Sequence, residues 1–314
     1  MTRRHGTASV LARLGGRHPI LFGVFVYLNG RLVPAEDAQI SVFDRGFLFG
    51  DGVYEGLRAF GGRVHSVQRH EQRLREGLEA TGIPADADGL ERICLSLIEA
   101  NGLTDAFVYL QYTRGVPGSG HRPRMRVPDG PLEPTVFGLS MEQPPIDQYA
   151  HVPTMTACTS DDCRWSLGRV KSISLLGNVL AALEADRRGA REAIMTRDGV
   201  ITEATACNVI LVLREGGRDR LVTPSLDSAP ILAGVTRAKV LELDPEIEEV
   251  EAPAEWLDRA TEIILVGTTA LVSACTHLDG RAIGTGGAGP HARRLLGLYV
   301  ESIRSELALE AATL

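Results

Sequence analysis

Lysine is the rarer basic residue in this sequence, and one of its two lysines lies in a context suited to covalent chemistry. Of the 33 lysines and arginines, only Lys171 and Lys239 are lysine. A guanidinium stays protonated and is a poor nucleophile, whereas a lysine amine can lose its proton and attack a carbonyl. The bias toward arginine is either compositional or a sign that arginine cannot act at one of these positions.

The surroundings of the two lysines differ. Lys171, in GRVKSISLLGNVL, follows the strand-like run RWSLGRV and precedes a predicted helix, so its side chain can project into a cleft. Lys239 lies in VTRAKVLEL, a helical pattern whose polar positions face water. Only Lys171 therefore has the setting of a lysine that forms a Schiff base.

Three further features are able to bind a phosphorylated ring. Glu203, in GVITEATACNVILV, is flanked by strands and becomes important if a cationic ring nitrogen faces it; otherwise it is an ordinary exposed glutamate. The runs GVTR at 234–237 and GTT at 267–269 lie at a predicted helix start and a strand end, where backbone N–H groups can bind a phosphate. Each run is also explained by ordinary capping. Together with the scarce lysine they favour pyridoxal phosphate.

The composition excludes several other functions. A net charge of -7 gives no basic surface for nucleic acid or an anionic membrane, so we expect small-molecule partners. The apolar run PILFGVFVYL is too short to span a bilayer. There is no HExxH, Walker or GxSxG motif, and the eight histidines lack metal-ligand spacing, so no metal site is expected. The five cysteines lack CxxC spacing, which predicts reduced, buried thiols in a cytoplasmic protein.

The elements that position these residues predict a mixed α/β protein of two domains. Residues 1–22 form an N-terminal extension that we expect to be disordered, 23–142 an N-terminal domain, 143–149 a proline-containing linker, and 150–314 a cofactor-binding domain. Hairpins are predicted at Asn29-Gly30, Gly61-Gly62 and Asp198-Gly199. A Gly-, Pro- and Arg-rich loop is predicted at 116–134, and a helix near Pro230.

Seven separated motifs resemble the class IV aminotransferases, which are fold-type IV pyridoxal-phosphate enzymes with the cofactor at the domain interface. They occur in the family's order between about Val24 and Ile303. They are DRGFLFGDGVYEGLRAF, the arginine of RHEQRL, FVYLQYTRG, RWSLGRVKSISLLGNVLAALEA, VITEATACNVI, PILAGVTR and LVGTTALVSAC. The resemblance implies a homodimer that transfers amino groups between amino acids and 2-oxo acids by a ping-pong mechanism.

The resemblance also implies roles for individual residues. Lys171 matches the catalytic lysine that carries pyridoxal 5′-phosphate, Glu203 the acid at the pyridine nitrogen, and Arg73 a phosphate-binding arginine. The remaining cofactor-binding positions are Leu232, which packs on the ring, and Val235, Thr236 and Thr268, which complete the phosphate cradle. Arg73 would otherwise be a surface residue of its helix.

The implied substrate is mixed in character. Tyr54 and the RW before the lysine resemble D-amino-acid transaminases, whereas Arg58 of EGLRAF resembles branched-chain L-amino-acid aminotransferases, which carry an arginine near the position of Tyr109. The loop lacks the Arg-x-His pair of the D-specific branch, so Arg122, Arg124 or Arg126 is the candidate carboxylate ligand, with Thr269 in the GTT turn on the opposite side. D-amino acids are the predicted substrates. Branched-chain transamination, aminodeoxychorismate lyase, (R)-amine transaminase and a non-catalytic binding protein are the alternatives.

Overall fold

The structure is a computed structural model that describes residues 24–120, 122 and 124–312. The predicted N-terminal extension lies outside these residues. Two β-sheets, each accompanied by helices, follow one another along the chain, so the predicted mixed α/β fold is confirmed. Within the described part of the chain, no helix has the length and apolar character needed to cross a membrane.

The first sheet has six antiparallel strands in the order β2-β1-β6-β5-β3-β4. In chain order they are β1 (Phe25–Leu28), β2 (Arg31–Pro34), β3 (Gly52–Phe60), β4 (Arg63–Val64), β5 (Ala106–Pro117) and β6 (Leu132–Glu142). The predicted two-residue turns at Asn29-Gly30 and Gly61-Gly62 are confirmed, because all four residues have the positive φ of a type I′ turn. The long loop is shorter than predicted, since the strands extend to Pro117 and from Leu132.

Three helices accompany this sheet: α1 (Arg45–Phe49), α2 (Val67–Thr81) and α3 (Leu90–Ala100). Leu74 and Leu78 of α2 are buried, as their shared helix face predicts. The i, i+3, i+4 stripe of α3 is also buried and forms one core with the inner face of the sheet. This packing fixes α2 against β3 and so positions the arginine side chains of α2.

The second sheet has nine strands in the order β12-β11-β10-β13-β14-β7-β8-β9, with β15 beside β14. They are β7 (Thr154–Asp161), β8 (Glu192–Arg197), β9 (Val200–Ala204), β10 (Asn208–Glu215), β11 (Arg218–Pro224), β12 (Glu248–Val250), β13 (Ala260–Gly267), β14 (Leu271–Leu278) and β15 (Arg281–Ala282). β7 runs parallel to both β14 and β8. The predicted hairpin at Asp198-Gly199 joins β8 to β9.

The helices of the second half are α4 (Leu176–Arg187), α5 (Val235–Leu243), α6 (Trp256–Arg259) and α7 (Pro290–Ala312). Gly189 follows α4 with a φ of 74°, which ends that helix as predicted. A 3-10 turn at Ile146–Ala150 lies between the two sheets, near the predicted linker. The placement of a domain boundary at 143–149 stays a prediction.

All five cysteines are free, and four of them are buried. Cys163 is exposed, so the expectation that every thiol is buried was wrong for this one. Cys163 lies in the irregular segment that follows β7, where its side chain does not belong to a strand face packed on the core.

Candidate functional site

A cavity between the two sheets brings the predicted cofactor-binding residues together. The first half of the chain contributes Tyr54 from β3 and Arg73 from α2. The second half contributes Lys171, Glu203, Asn208, Leu232, Val235, Thr236 and Thr268. These residues are distant in the sequence, so the packing of the two sheets creates the site.

Lys171 does not follow a strand, which contradicts the prediction from the run RWSLGRV. Residues 162–175 form an irregular segment, and α4 begins only at Leu176. Gly168 packs so closely on the Pro230 carbonyl that an added Cβ would lie 1.8 Å from its oxygen. A close approach of one backbone to another leaves no room for a side chain, and this is a recognised use of glycine. Tertiary contact therefore replaces the regular strand that local composition favoured.

The segment that carries Lys171 is attached to β3. The Tyr54 N–H donates to the Lys171 carbonyl at 2.9 Å, and the Ile173 N–H donates to the Gly52 carbonyl at 3.1 Å. The Lys171 Nζ lies 4.2 Å from the centre of the Tyr54 ring, within the range of a cation–π contact. These contacts fix the amine in the cavity although its own segment is irregular.

Glu203 is buried on β9, where burial raises its pKa. The Arg164 guanidinium, the Leu232 N–H and the Lys171 charge oppose that effect. Arg164 donates to Oε1, while Asn208 Nδ2 at 3.1 Å and the Leu232 N–H at 3.0 Å donate to Oε2. The carboxylate is therefore held rigidly, with its protonation governed mainly by burial and by Arg164.

Arg164 belongs to the RW motif, but the sequence pattern predicts no individual role for it. Its guanidinium lies between Glu203 and Asp162 and also donates to Asp162 at 2.8 Å. Burial alone would raise the pKa of Asp162, but hydrogen bonds from Arg164 and Thr202 lower it to about 2. Asp162 thereby anchors the arginine that faces Glu203. A second missed residue, Asn208, links Glu203 to the Leu232 carbonyl at 3.0 Å.

The Arg73 side chain, on α2, is only 9% exposed, so it is not an ordinary surface residue of its helix. Its guanidinium forms a two-point ion pair with Glu55, with Nε–Oε1 at 2.8 Å and Nη2–Oε2 at 2.7 Å, and it donates to the Ala233 carbonyl at 3.0 Å. Burial alone would raise the pKa of Glu55, but Arg73 and His70 hold it well below its usual range. Burial lowers the pKa of His70, which disfavours its charged form. Arg73 therefore supplies the main positive charge that faces the Glu55 carboxylate. A charged residue within an apolar strand, YEGLRAF, was the available signal for Glu55.

Helix α5 begins at Val235, five residues later than the predicted start near Pro230. The residues before it are non-helical because they cross the cavity, where Leu232 bonds to Glu203 and Asn208. Val235 and Thr236 are thus in the first helical turn, whose N–H groups have no partners within the helix. Gly234, the N-cap residue, has no room for a Cβ, which would lie 2.0 Å from Asn208 Oδ1.

The predicted substrate-binding residues are only partly brought to the cavity. Tyr54 lines it, and the Tyr109 ring lies 5.4 Å from the Tyr54 ring, with its hydroxyl donating to Gln111. Burial raises the pKa of Tyr109, so its phenol stays protonated. Thr268 lines the cavity, whereas Thr269 is not among the lining residues.

Arg58 is not among the residues that line this cavity, but it lines a smaller adjoining cavity together with Thr236 and Thr268. Its guanidinium is buried beside Phe60 and donates to the Pro144 carbonyl at 2.8 Å and to the Tyr149 hydroxyl at 3.1 Å. Arg58 therefore ties β3 to the segment between the two sheets. These contacts give no support to its predicted role at the substrate.

The loop arginines also lie outside the lining of the cavity. Arg124 stacks on the Phe49 ring at 5.4 Å, and Arg122 is exposed. The Arg126 carbonyl accepts from the buried Arg45 at 2.9 Å, so Arg45 anchors this part of the loop. Their substrate role stays a prediction. Lys239 lies on α5 and pairs weakly with Glu242, at 4.0 Å.

The arrangement fits a phosphorylated ring with a basic nitrogen. A carboxylate offers about four lone-pair sites, and Glu203 uses three of them, which leaves one for a ring N–H. The start of α5 and Arg73 offer positive partial and full charge to a phosphate. A lysine amine completes the set. No group of three or more metal-ligating side chains lies together among the described residues.

Comparisons with known proteins agree with this geometry. Residues 52–278 match the family model of the amino-transferase class IV enzymes. The chain is 34% identical to a D-alanine aminotransferase of Bacillus licheniformis over 292 residues, which covers 90% of this chain and 98% of that one. A crystal structure of a branched-chain aminotransferase from Thermoproteus uzoniensis superposes with a TM-score of 0.76 at 26% identity, covering 88% and 93% of the two chains. The branched-chain amino acid aminotransferase from Escherichia coli gives a TM-score of 0.74 at 25% identity, covering 87% and 92%.

Proposed function

The chain belongs to the class IV aminotransferases, and on that premise we propose that its cavity transfers the amino group of a D-amino acid to a 2-oxo acid. Members of this family are transaminases that use pyridoxal 5′-phosphate. The observation that carries the proposal is that Lys171 and Glu203 line one cavity together with the start of α5.

In this proposal, different side chains of the cavity bind different parts of the cofactor. Lys171 holds it covalently, and Glu203 accepts a hydrogen bond from the protonated ring nitrogen through its remaining lone pair. Arg73 and the first turn of α5, with Val235 and Thr236, bind the phosphate together with Thr268. Leu232 packs on the ring. When bound, the cofactor withdraws electrons from the substrate Cα and stabilises the negative charge left there.

The protein's own residues then manage the protons. Lys171 would act as general base and then general acid, moving a proton from the substrate Cα to the C4′ position. Glu203 keeps the proton on the ring nitrogen, and the Arg164 charge favours the ionised form of Glu203. Hydrolysis by water would release the product 2-oxo acid, and a second 2-oxo acid would accept the amino group by the reverse steps.

The preference for D-amino acids is supported by the relative at 34% identity, which is a D-alanine aminotransferase. Tyr54 lines the cavity and is a candidate ligand for the substrate carboxylate. Arg58, the residue that resembles branched-chain aminotransferases, bonds instead to the Pro144 carbonyl. Branched-chain L-amino acids are the second candidate, because a branched-chain aminotransferase is a structural neighbour at 26% identity. The two candidates differ in which side of the cavity binds the α-carboxylate.

A half-reaction screen tests the proposed substrate class. The purified enzyme is mixed with one amino acid at a time, D-alanine, D-glutamate, L-leucine or L-valine, and the absorbance of the bound cofactor is followed. We expect the D-amino acids to react faster. Faster reaction of L-leucine would overturn the D-specific proposal in favour of the branched-chain one, and pyruvate formed without any amino acceptor would indicate a lyase.

We also propose that the enzyme is a homodimer, from an exposed apolar row on α4. Leu176, Val179, Leu180 and Leu183 are 47–71% exposed and follow the spacing of one helix face. Large apolar rows on soluble proteins commonly mark interfaces. The same helix lines the cavity with Asn178 at its start, so a second copy would cover the site.

Sedimentation of matched variants tests this assembly. We expect the wild-type protein to have twice the 33.8 kDa chain mass and Leu180→Glu to shift it toward monomer. Leu298→Glu, at an exposed leucine of α7, is the control. A monomeric wild-type protein would contradict the proposal.

A cytoplasmic location is the remaining part of the proposal, and the five free cysteines support a reducing compartment.

A further inference from the structure

A buried polar chain connects the C-terminal helix to the wall of the cavity. The Tyr299 hydroxyl, on α7, lies 3.4 Å from Thr236 Oγ1 and 3.4 Å from His65 Nε2. All three residues are buried, and the His65 and Tyr299 rings pack edge-on at 5.8 Å. Thr236 lines the cavity, so the chain joins the cavity to an element that does not itself line it.

Glu306, about two helical turns further along α7, holds the other end of the chain. Its Oε2 lies 3.0 Å from His65 Nδ1. Burial alone would raise the pKa of Glu306, but this close contact with His65 lowers it. Its Oε1 accepts from the Ser66 N–H at 2.7 Å, at the N-cap position of α2. The same helix of 23 residues therefore contacts both the start of α2 and Thr236 at the start of α5.

The Tyr299 hydroxyl keeps its hydrogen at any physiological pH. Burial raises its pKa to about 12, against the opposing hydrogen bond with Thr236. Ser66 Oγ lies nearer to His65 Nε2, at 3.2 Å, and is able to satisfy that nitrogen. Tyr299 is then free to donate to Thr236 Oγ1, which leaves the hydrogen of the Thr236 hydroxyl free to point into the cavity.

We propose that Tyr299 is a positioning residue that orients the Thr236 hydroxyl as a donor to the cofactor's phosphate, and that α7 is thereby part of the phosphate site. The inference rests on the proposed function, since it places the phosphate at the start of α5. At 3.4 Å, the contact between the Tyr299 and Thr236 hydroxyls is longer than the usual O–H···O distance of about 2.8 Å. Phosphate binding shortens this contact, so cofactor binding and the docking of α7 support each other.

The decisive comparison uses two probes that differ only in the phosphate. Apoprotein is titrated with pyridoxal 5′-phosphate and with pyridoxal, and binding is followed by absorbance. Tyr299→Phe keeps the ring and removes the hydroxyl. We expect it to bind pyridoxal 5′-phosphate about fivefold more weakly, or about 1 kcal/mol, and to bind pyridoxal as the wild-type protein does.

Tyr112→Phe is the matched control, because the Tyr112 hydroxyl is buried in the core of the first sheet with no hydrogen-bond partner among the described residues. It is expected to leave both affinities unchanged. If Tyr299→Phe weakens both probes equally, or neither, Tyr299 is not a phosphate-positioning residue and the inference is overturned. Failure of the wild-type protein to bind either probe would instead overturn the proposed function, and this inference with it.

Hydrogen exchange of the wild-type protein provides a second test that does not depend on the folding of a variant. The backbone amides of 299–307 are followed in apoprotein and after saturation with each probe. We expect pyridoxal 5′-phosphate to slow their exchange at least threefold and pyridoxal to leave it unchanged. Exchange that does not respond to pyridoxal 5′-phosphate would overturn the coupling between α7 and the phosphate site.

Discussion

The ammonium nitrogen of Lys171 lies 4.2 Å from the centre of the Tyr54 ring, and the backbone of Tyr54 bonds to the backbone of Lys171 at 2.9 Å. The backbone hydrogen bond between the two residues therefore fixes the position of the Tyr54 ring relative to the Lys171 amine. This relation places the Lys171 amine over a ring that lines the same cavity.

The first prediction is that Lys171 carries the cofactor. Borohydride reduction followed by peptide mapping should label Lys171, and Lys171→Ala should lose the absorbance of the attached cofactor. Lys239→Ala is the matched control, since it removes the only other lysine. Label found on Lys239, or on neither lysine, would contradict the assignment.

The second prediction concerns Glu203. Glu203→Gln should keep the cofactor, because Arg73 and the start of α5 are unchanged, but a neutral amide cannot keep the ring nitrogen charged. Removal of such a charge-stabilising group typically slows turnover about 10²–10³-fold. Turnover and cofactor content are measured on the same samples. Turnover equal to that of the wild-type enzyme would remove Glu203 from the mechanism.

The third prediction is a shift of the pH profile in Arg164→Gln. Burial already raises the pKa of Glu203, and loss of the Arg164 charge raises it further, so the carboxyl stays protonated to higher pH. The acid limb of the kcat profile should therefore move upward by about one pH unit. Arg164→Lys keeps the charge and serves as the control. An acid limb that does not move in Arg164→Gln would show that Arg164 does not govern Glu203.

The fourth prediction distinguishes the loop arginines, as candidate ligands of the substrate carboxylate, from Arg58. One of Arg122→Ala, Arg124→Ala and Arg126→Ala should slow the D-alanine half-reaction about tenfold or more, which is the cost of one charge-assisted hydrogen bond. Arg58→Ala should instead lower stability and affect D-alanine and L-leucine alike, since its guanidinium bonds to Pro144 and Tyr149. If none of the loop variants affects D-alanine, the carboxylate is bound elsewhere.

The fifth prediction concerns the buried ion pair of Glu55 and Arg73. Glu55→Gln leaves the guanidinium without its counter-charge, which should cost about 3 kcal/mol of unfolding free energy at pH 7. The folded-state pKa of Glu55 is depressed, so its contribution is present above the unfolded value of about 4.3 and is lost as the pH falls through the folded value. The difference between variant and wild type should accordingly shrink below about pH 4.

Urea unfolding between pH 2 and pH 8, a range that begins about two units below the unfolded carboxyl pKa and ends almost four units above it, measures this difference. Glu242→Gln, in an exposed pair with Arg69, is the control and should cost at most about 1 kcal/mol. A difference between Glu55→Gln and wild type that stayed constant across this range would show that Glu55 is not ionised in the folded protein.

Local patterns in the sequence determined the elements that depend on neighbouring residues. The Asn29-Gly30 turn requires two residues that tolerate positive φ, and the stripe of α3 follows from its helical period, so both were predicted correctly. The motifs around Lys171 and Thr236 also identified the family correctly. Local composition gave a wrong prediction where a contact with a distant element decides the structure. The run RWSLGRV favours a strand, but Gly168 packs on Pro230 and the segment is irregular.

The tertiary structure alone decided which side chains meet. Arg164 reaches Glu203 across 39 residues of sequence, and Thr236 meets Tyr299 across 63. The motif of Arg58 predicts a substrate ligand, and only the packing of β3 shows that its guanidinium also bonds to the Pro144 carbonyl. Periodicity and turn chemistry act over a few residues, whereas the partner of a buried charge is chosen by how separate elements pack, because a buried charge left unpaired would be too costly.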